Sequence, residues 1–581
     1  MTEAIKKSLR ESKAARWTAL IIVSFMMLCG YYLADVMAPL KGLLEQQLTW
    51  TSAEYGFFTS AYGWFNVFLF FLIIGGIILD RMGVRFTGLM AALIMVLGIG
   101  IKYWAVSTHA LDGVTWNILW FSTRAQVFMA GIGFAIFGVG VEVAGITVSK
   151  IIVKWFKGKE MALAMGLEMA MARIGTGLAI GTSLPVAKWL GHVSMPLLVG
   201  LVMACIGLIA FILYIFQDKK LDASEALVKA QEATPAEPEE SFRLKDILFI
   251  ITNKAWWYIA ILCVLFYSAV FPFLKYATDL MIQKFMINEA WAGSIPALLP
   301  FGTIILTPFF GNLYDRKGKG ATIMMIGAML IIFVHAIFSI PGLDHWLVAL
   351  AVILILGIGF SLVPSAMWPS VPKIIPEKQL GSAYALIFWV QNIGLMGVPA
   401  LIGWVVSKYF IGYFAIMGAG FTTDRGDEIA SVITKDLKQV ELVQAGTLGR
   451  ADKTMKVTEF IKGADGEISA VVVESGDTVA RNYISNKLLK KAQKKNELKI
   501  PYYFVKVQGV DGKEADAEVS LFVTKNNAEL NKFTSVTSFY NYTTAMMIFA
   551  CFGILALIFA FLLKAEDKKK GYGLQLPNIQ H

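Results

Sequence analysis

Only four cysteines and five histidines occur among the 581 residues, and charged side chains make up only 16%. Cys29, Cys205, Cys263 and Cys551 all fall inside apolar stretches, which speaks against a disulfide framework or a thiolate metal site. His109 and His345 fall on loops and His335 inside an apolar run, with no ligand spacing. No metal, no cofactor and no enzymatic activity are expected. Soluble proteins carry about a quarter charged residues. Here hydrophobic residues reach 57% and the mean hydropathy is +0.63, which excludes an ordinary soluble globule.

What is there instead is a series of apolar runs of about 20 residues, the length that crosses a ~30 Å hydrocarbon core at 1.5 Å per residue. Twelve spans are predicted near 17–40, 52–79, 84–106, 122–150, 161–190, 193–216, 254–283, 289–314, 320–340, 346–373, 380–414 and 537–564. The expected fold is an all-α membrane protein, twelve transmembrane helices in two six-helix halves, with the lipid bilayer as its surroundings. The basic N-terminus (Lys6, Lys7, Arg10, Lys13, Arg16) precedes a long span with no small-residue cleavage site, so no cleaved signal peptide is expected.

The formal charge of +10 is explained by loop lysines and arginines and gives no reason to expect nucleic acid. Arg81, Arg85, Lys154, Lys157, Lys159, Arg316, Lys317, Lys319, Lys373 and Lys378 lie on alternate loops, and Lys564, Lys568, Lys569 and Lys570 on the tail. The opposite loops, "STHALDGVTWN", "GHVSM" and "PGLDHW", are nearly free of them. The positive-inside rule then puts both termini in the cytoplasm, and a bacterial inner membrane is the expected location.

The expected organisation is an N-terminal half over 17–216, a cytoplasmic linker over 217–253, helices 7 to 11 over 254–414, an extracytoplasmic insertion over 415–535, helix 12 over 536–564 and a cytoplasmic tail over 565–581. In the insertion, "TMKVTEFIKG" with "EISAVVVESG" and "IPYYFVKVQG" with "AEVSLFVTKN" alternate as hairpin strands, and "SNKLLKKAQKKN" reads as a short basic helix. It is read as a small α+β docking or shielding module without catalytic chemistry, and a separate protein partner is expected to dock there.

An internal repeat is the strongest motif. "GGIILDRMGVR" and "GNLYDRKGKG" both fit Gly-x-x-x-Asp-Arg-x-Gly: Gly76, Asp80, Arg81 and Gly83, with Arg85 following, then Gly311, Asp315, Arg316 and Gly318. They stand at equivalent places in the two halves.

This pair of loops resembles the signature of the major facilitator superfamily. "WFKGKEMALAMGLEMAMARIG", "VFPF" and "AMWPSVPKIIPEKQLGSAYALIFWVQNIG" further resemble the branch that contains the lysosomal dipeptide uniporter. The resemblance implies an alternating-access transporter with a cytoplasmic lock, in which Asp80 sits by the start of the eleventh helix, around Leu380 to Ser382. That branch works with a separate luminal partner and lacks the outer insertion.

Inside the membrane, Glu142 lies twelve residues before Lys154 and Arg173 thirteen after Glu160. These place both charges about 18–20 Å in from the same side, near mid-membrane, where such transporters bind substrate. A zwitterionic peptide needs an anion for its ammonium and a forked cation for its carboxylate, and the resemblance implies these roles for Glu142 and Arg173. A simple Glu142–Arg173 salt bridge tying two helices is the plainer alternative. Weaker candidates are Asp35 in the first span and Gln391 and Asn392 in the eleventh. Glu168 stands where the branch has an uncharged amide, and pairing with Lys150 or Lys154 is expected. Lys275 is expected to snorkel outward. The sequence thus predicts a dipeptide uniporter. The alternatives are a proton-coupled carrier of peptides or small organic anions, and a non-transporting envelope receptor or scaffold. The first helix lacks the Glu-x-x-Glu-Arg of the proton-coupled oligopeptide branch.

Overall fold

The computed structural model describes the chain apart from residues 1–8, 119–120, 157–159, 233–243, 286, 377–378, 417–430, 434–438, 463–467, 475–477, 481–485, 510–513, 523–534 and 578–581. Lys6, Lys7, Lys157, Lys159 and Lys378 fall outside the described residues. The chain forms two compact units, Met1–Phe410 with Tyr540–His581, and Ile411–Phe539.

Eleven helices of the first unit are long and apolar enough to cross a membrane, among the described residues. The sequence suggested twelve spans, and the difference lies in the second. It is assembled from Ser52–Ser60, a single 3-10 turn at Ala61–Gly63, Trp64–Phe68 and the start of the helix Phe71–Ser107. Phe70 takes a left-handed backbone at φ 55° and interrupts it. The long helix is broken again at Gly83, φ 77° and ψ 173°, so its remainder, 84–107, serves as the third span. That backbone region is essentially open to glycine alone. Gly318, the matching residue of the second repeat, has φ 65° and ψ −134°.

Local signals set several ends. Ser12 caps Lys13–Asp35 by accepting from the Ala15 N–H, and Thr51 and Glu54 form a reciprocal capping box at Ser52. The sixth span, Met195–Glu232, runs well beyond the predicted 216 and takes in the first part of the predicted linker. A further helix, Leu244–Thr252, stands before the seventh span, Lys254–Phe285. Charge and apparent hydrophilicity suggested a linker here, but "DASEALVKAQE" is rich in good helix formers. A short antiparallel hairpin, Thr115–Ile118 with Phe121–Arg124, precedes the fourth span, Ala125–Phe156.

The two repeated halves meet along two seams: the second span against the eleventh, Leu380–Lys408, and the fifth, Met161–Trp189, against the eighth, Ser294–Lys317. Both seams rely on missing side chains. A Cβ on Gly56 would lie 2.7 Å from the Pro399 carbonyl oxygen, and one on Gly293 2.2 Å from that of Ile180. Small residues at helix contacts let backbones approach closely in lipid.

In the second unit, the strand Gln439–Lys462 pairs antiparallel with Ile468–Val473 and with Glu497–Gly509, which in turn pairs with Glu514–Phe522. The basic helix Asn486–Lys495 buries Ala492 in a small core with Met455, Val471, Val473 and Leu498. Its lysines Lys490, Lys491, Lys494 and Lys495 are exposed.

Candidate functional site

Glu142 and Arg173 do not pair with each other. Glu142 accepts a hydrogen bond from the Tyr62 hydroxyl, 2.8 Å from Oε1. The Arg173 guanidinium carbon sits 5.2 Å from the Phe360 ring centre and 5.8 Å from that of Phe271. Both charged residues are half-buried. The Tyr31 hydroxyl lies within electrostatic reach of Arg173, Glu142, Glu168 and Asp35, so the first, fourth and fifth spans bring their charges to one place.

The other half contributes an aromatic wall. Phe271 and Phe360 meet edge to face at 5.5 Å, Tyr267 stacks on Phe271 at 5.2 Å, and the Trp368 indole N–H donates to the Tyr267 hydroxyl at 3.2 Å. The wall holds the guanidinium by its π faces and leaves the donor fork unspent on any carboxylate. Asn392 is buried and donates to the Phe388 carbonyl, while its Oδ1 has no partner among the described residues. Gln391 is tied to the Cys263 thiol at 3.6 Å. Trp389 packs on Phe70 and donates to the Val67 carbonyl.

Asp35 already has partners. Its Oδ1 lies 2.6 Å from Lys275 Nζ and its Oδ2 accepts from Thr176. Lys275 therefore does not snorkel outward: it reaches across to the other half, where it also donates to the Ala34 carbonyl. Glu168 is buried and pairs with neither Lys150 nor Lys154, contrary to expectation. Those lysines serve Asp80, and Asp218 with Asp222, because they lie closer to the end that carries the repeated loops.

At the far end from those loops, charge joins the halves. Lys41, wholly buried, lies 2.8 Å from Asp279 and 2.7 Å from Glu45. Tyr542 donates to Asp279 and Tyr540 to Glu45. Nothing in the sequence reading singled out Lys41, Glu45 or Asp279. The signal was there, in "APLKGLLEQQ" and "YATDLMIQ", and is the one that Arg173 gives: charges inside apolar runs.

The repeated loops hold different partners. Asp80 takes Lys150 Nζ at 2.9 Å, within its own half, and not the start of the eleventh helix as the resemblance implies. Arg85 pairs with Asp222 at 3.0 Å, while Arg81 and Arg316 are exposed. Gly76 and Gly311 have open space where a Cβ would sit. At Gly318 a Cβ would lie 2.4 Å from the Gln575 carbonyl oxygen, because the C-terminal tail crosses this loop. Lys319 and Gly320 donate their backbone N–H groups to the carbonyls of Gln575 and Leu574, each at 2.9 Å, and Leu574 is fully buried.

Two repeated helical halves, joined at one end around the Lys41 charges and facing an aromatic wall beside Arg173, make a multi-pass membrane protein. The Major Facilitator Superfamily profile matches residues 20–399, and the chain belongs to that family. It is 27% identical over 405 residues to the lysosomal dipeptide transporter MFSD1 of Mus musculus, covering 68% of this chain and 81% of the relative. The Homo sapiens MFSD1 is 25% identical over 409 residues, with the same coverage. Among solved structures, a bacterial homologue of the human lysosomal transporter Spinster, inward-facing and occupied, superimposes with a TM-score of 0.53 at 12% identity. That match covers 68% of this chain and 83% of the other. The nucleoside transporter NupG gives 0.51 at 15%, covering 68% and 92%.

Proposed function

We propose that the chain carries dipeptides by alternating access, with Arg173 gripping the peptide carboxylate and Glu142 the ammonium. The observation that supports this is that Glu142 and Arg173, both near Tyr31, make no ion pair with each other: Glu142 accepts from the Tyr62 hydroxyl, and the Arg173 guanidinium rests on aromatic rings. The aromatic wall around Phe271 and Phe360 suits varied side chains. With the termini cytoplasmic, the junction of Lys41 with Asp279 is the outer gate in its closed state, and Asp80 is a lock released from its partner. The insertion then faces away from the cytoplasm, and its basic helix is the surface open to a protein partner.

The test is a thermal-shift series on purified protein with a free dipeptide, each singly capped form and the doubly capped form. The free dipeptide is expected to stabilise the protein and every capped form to lose most of that shift. An undiminished shift with the doubly capped peptide would end the terminus-clamp reading.

The second reading, proton-coupled symport, draws on Glu168, which is buried and has no hydrogen-bond partner among the described residues. Accumulation of dipeptide above equilibrium in liposomes, driven by an imposed pH gradient, would decide for it. Uniport predicts equilibration only.

Asp80→Asn is expected to slow dipeptide flux by on the order of tenfold, about 1.4 kcal/mol, while leaving the thermal shift with dipeptide unchanged. The exposed Lys150 pair that it removes is worth little by itself. Its effect therefore falls on the equilibrium between open states. Normal flux in the variant would refute the lock.

A further inference from the structure

Lys102 is fully buried, and its Nζ has no hydrogen-bond partner among the described residues. It stands 4.0 Å from the Phe134 ring centre and 5.1 Å from that of Phe58. Lys275 lies over the same Phe134 ring, at 5.9 Å, and Lys275 and Asp35 are both within electrostatic reach of Lys102. One aromatic ring thus has two lysines about it, one from each half, with the Asp35 carboxylate close by. Of the two lysines, Lys275 is the one paired with that carboxylate now, and the Thr176 hydroxyl donates to its other oxygen.

The two lysines differ in what they move with. Lys102 belongs to the third span, in the same half as Asp35 in the first, whereas Lys275 belongs to the seventh, in the other half. Opening the bundle at the end where Lys41 meets Asp279 draws Lys275 away from Asp35. A carboxylate left alone in that interior is costly.

We propose that Lys102 is a reserve partner for Asp35: when the gate opens and Lys275 leaves, the Lys102 ammonium swings from the face of Phe134 to the Asp35 carboxylate. In the closed state Phe134 and Phe58 hold the spare ammonium by their π faces. In the open state the ion pair is complete within one half. Lys102 is a positioning residue for the open state and touches no substrate. The proposal rests on alternating access and not on the identity of the substrate.

The test uses the full-length chain in nanodiscs with Cys205 and Cys551 changed to serine and spin labels at Leu190→Cys and Ala290→Cys, two exposed positions in the two halves. Double electron–electron resonance then reads the fraction of molecules with the far end open. Lys102→Met is expected to reduce that fraction at least tenfold, and Lys102→Gln serves the same purpose if the methionine variant does not fold. Adding Asp35→Asn to either variant removes the carboxylate that needs a partner and is expected to restore the open fraction. Unchanged opening in both single variants would overturn the proposal. So would a double variant that stays closed, since Lys102 would then act by packing alone. If the unmodified chain never opens at this end, alternating access itself fails, which is a different result.

Discussion

Arg173→Lys is expected to lower dipeptide transport by on the order of 100-fold although the charge is retained. A guanidinium can offer two parallel N–H donors to a carboxylate while its plane rests on an aromatic ring. The wall of Phe360 and Phe271, with ring centres 5.2 and 5.8 Å from the guanidinium carbon, is arranged for that use. An ammonium on a flexible four-carbon stem gives a point charge and loses one charged hydrogen bond. Such bonds contribute about 1.5–3 kcal/mol, or roughly 10- to 150-fold at 1.4 kcal/mol per decade. Glu142→Gln should fall in the same range, since Tyr62 still orients the amide oxygen but the peptide ammonium loses its anion. Initial-rate uptake into proteoliposomes measures both. Transport by Arg173→Lys within twofold of the unmodified chain would remove the bidentate grip.

Lys41→Met is expected to shift the molecule towards its far-end-open state by roughly 100-fold or more. Glu45 and Asp279 both lean on this one ammonium, with side chains only 5% and 3% exposed. Removing one partner of a buried ion pair costs about 3–5 kcal/mol, because the other charge is left uncompensated. Opening the gate lets water reach both carboxylates, so the cost falls on the closed state alone. The labelled pair at Leu190 and Ala290 reads this directly, and Lys41→Met combined with Asp279→Asn should recover part of the closed population. A distance distribution unchanged by Lys41→Met would show that the helix seams hold the gate without its charges.

Arg173 and Lys41 differ in how plainly the sequence reveals them. Arg173 and Glu142 were legible because a charge deep in an apolar run has few explanations, and counting residues from loop lysines fixed their depth. The repeated Gly-x-x-x-Asp-Arg-x-Gly loops were legible as a pair, since register between two halves is itself a signal. Lys41, Asp279 and Lys102 carry the same kind of signal, yet their meaning depends on which helices face each other, and spacing along one chain does not encode that. Lys275 illustrates the point: its position allowed snorkelling, and only the neighbouring half supplies Asp35. The partner of Asp80 was hidden for another reason. The resemblance implied the start of the eleventh helix, whereas the structure holds Asp80 against Lys150 of its own half. The second span was predicted as one continuous element over 52–79, but no hydropathy window resolves its turn at Ala61–Gly63 or its break at Phe70, whereas the break at Gly83 falls in the predicted gap before the third span.

The tail over the second repeated loop makes a nearly symmetric molecule lopsided. Two loops that share a motif do not share a fate: the first is held by the pairs Asp80–Lys150 and Arg85–Asp222, while the second has Gln575 and Leu574 lodged against it like a dowel. A chain cut back to Lys570 would lose the acceptors for the Lys319 and Gly320 amides and the seat of Lys373, whose ammonium grips the Gly573 and Leu576 carbonyls. Such a truncation is not a trimming of loose ends but the removal of a working part of the second half. A purification tag belongs beyond Pro577, because a chain shortened before that point lacks partners of the second repeated loop and of Lys373.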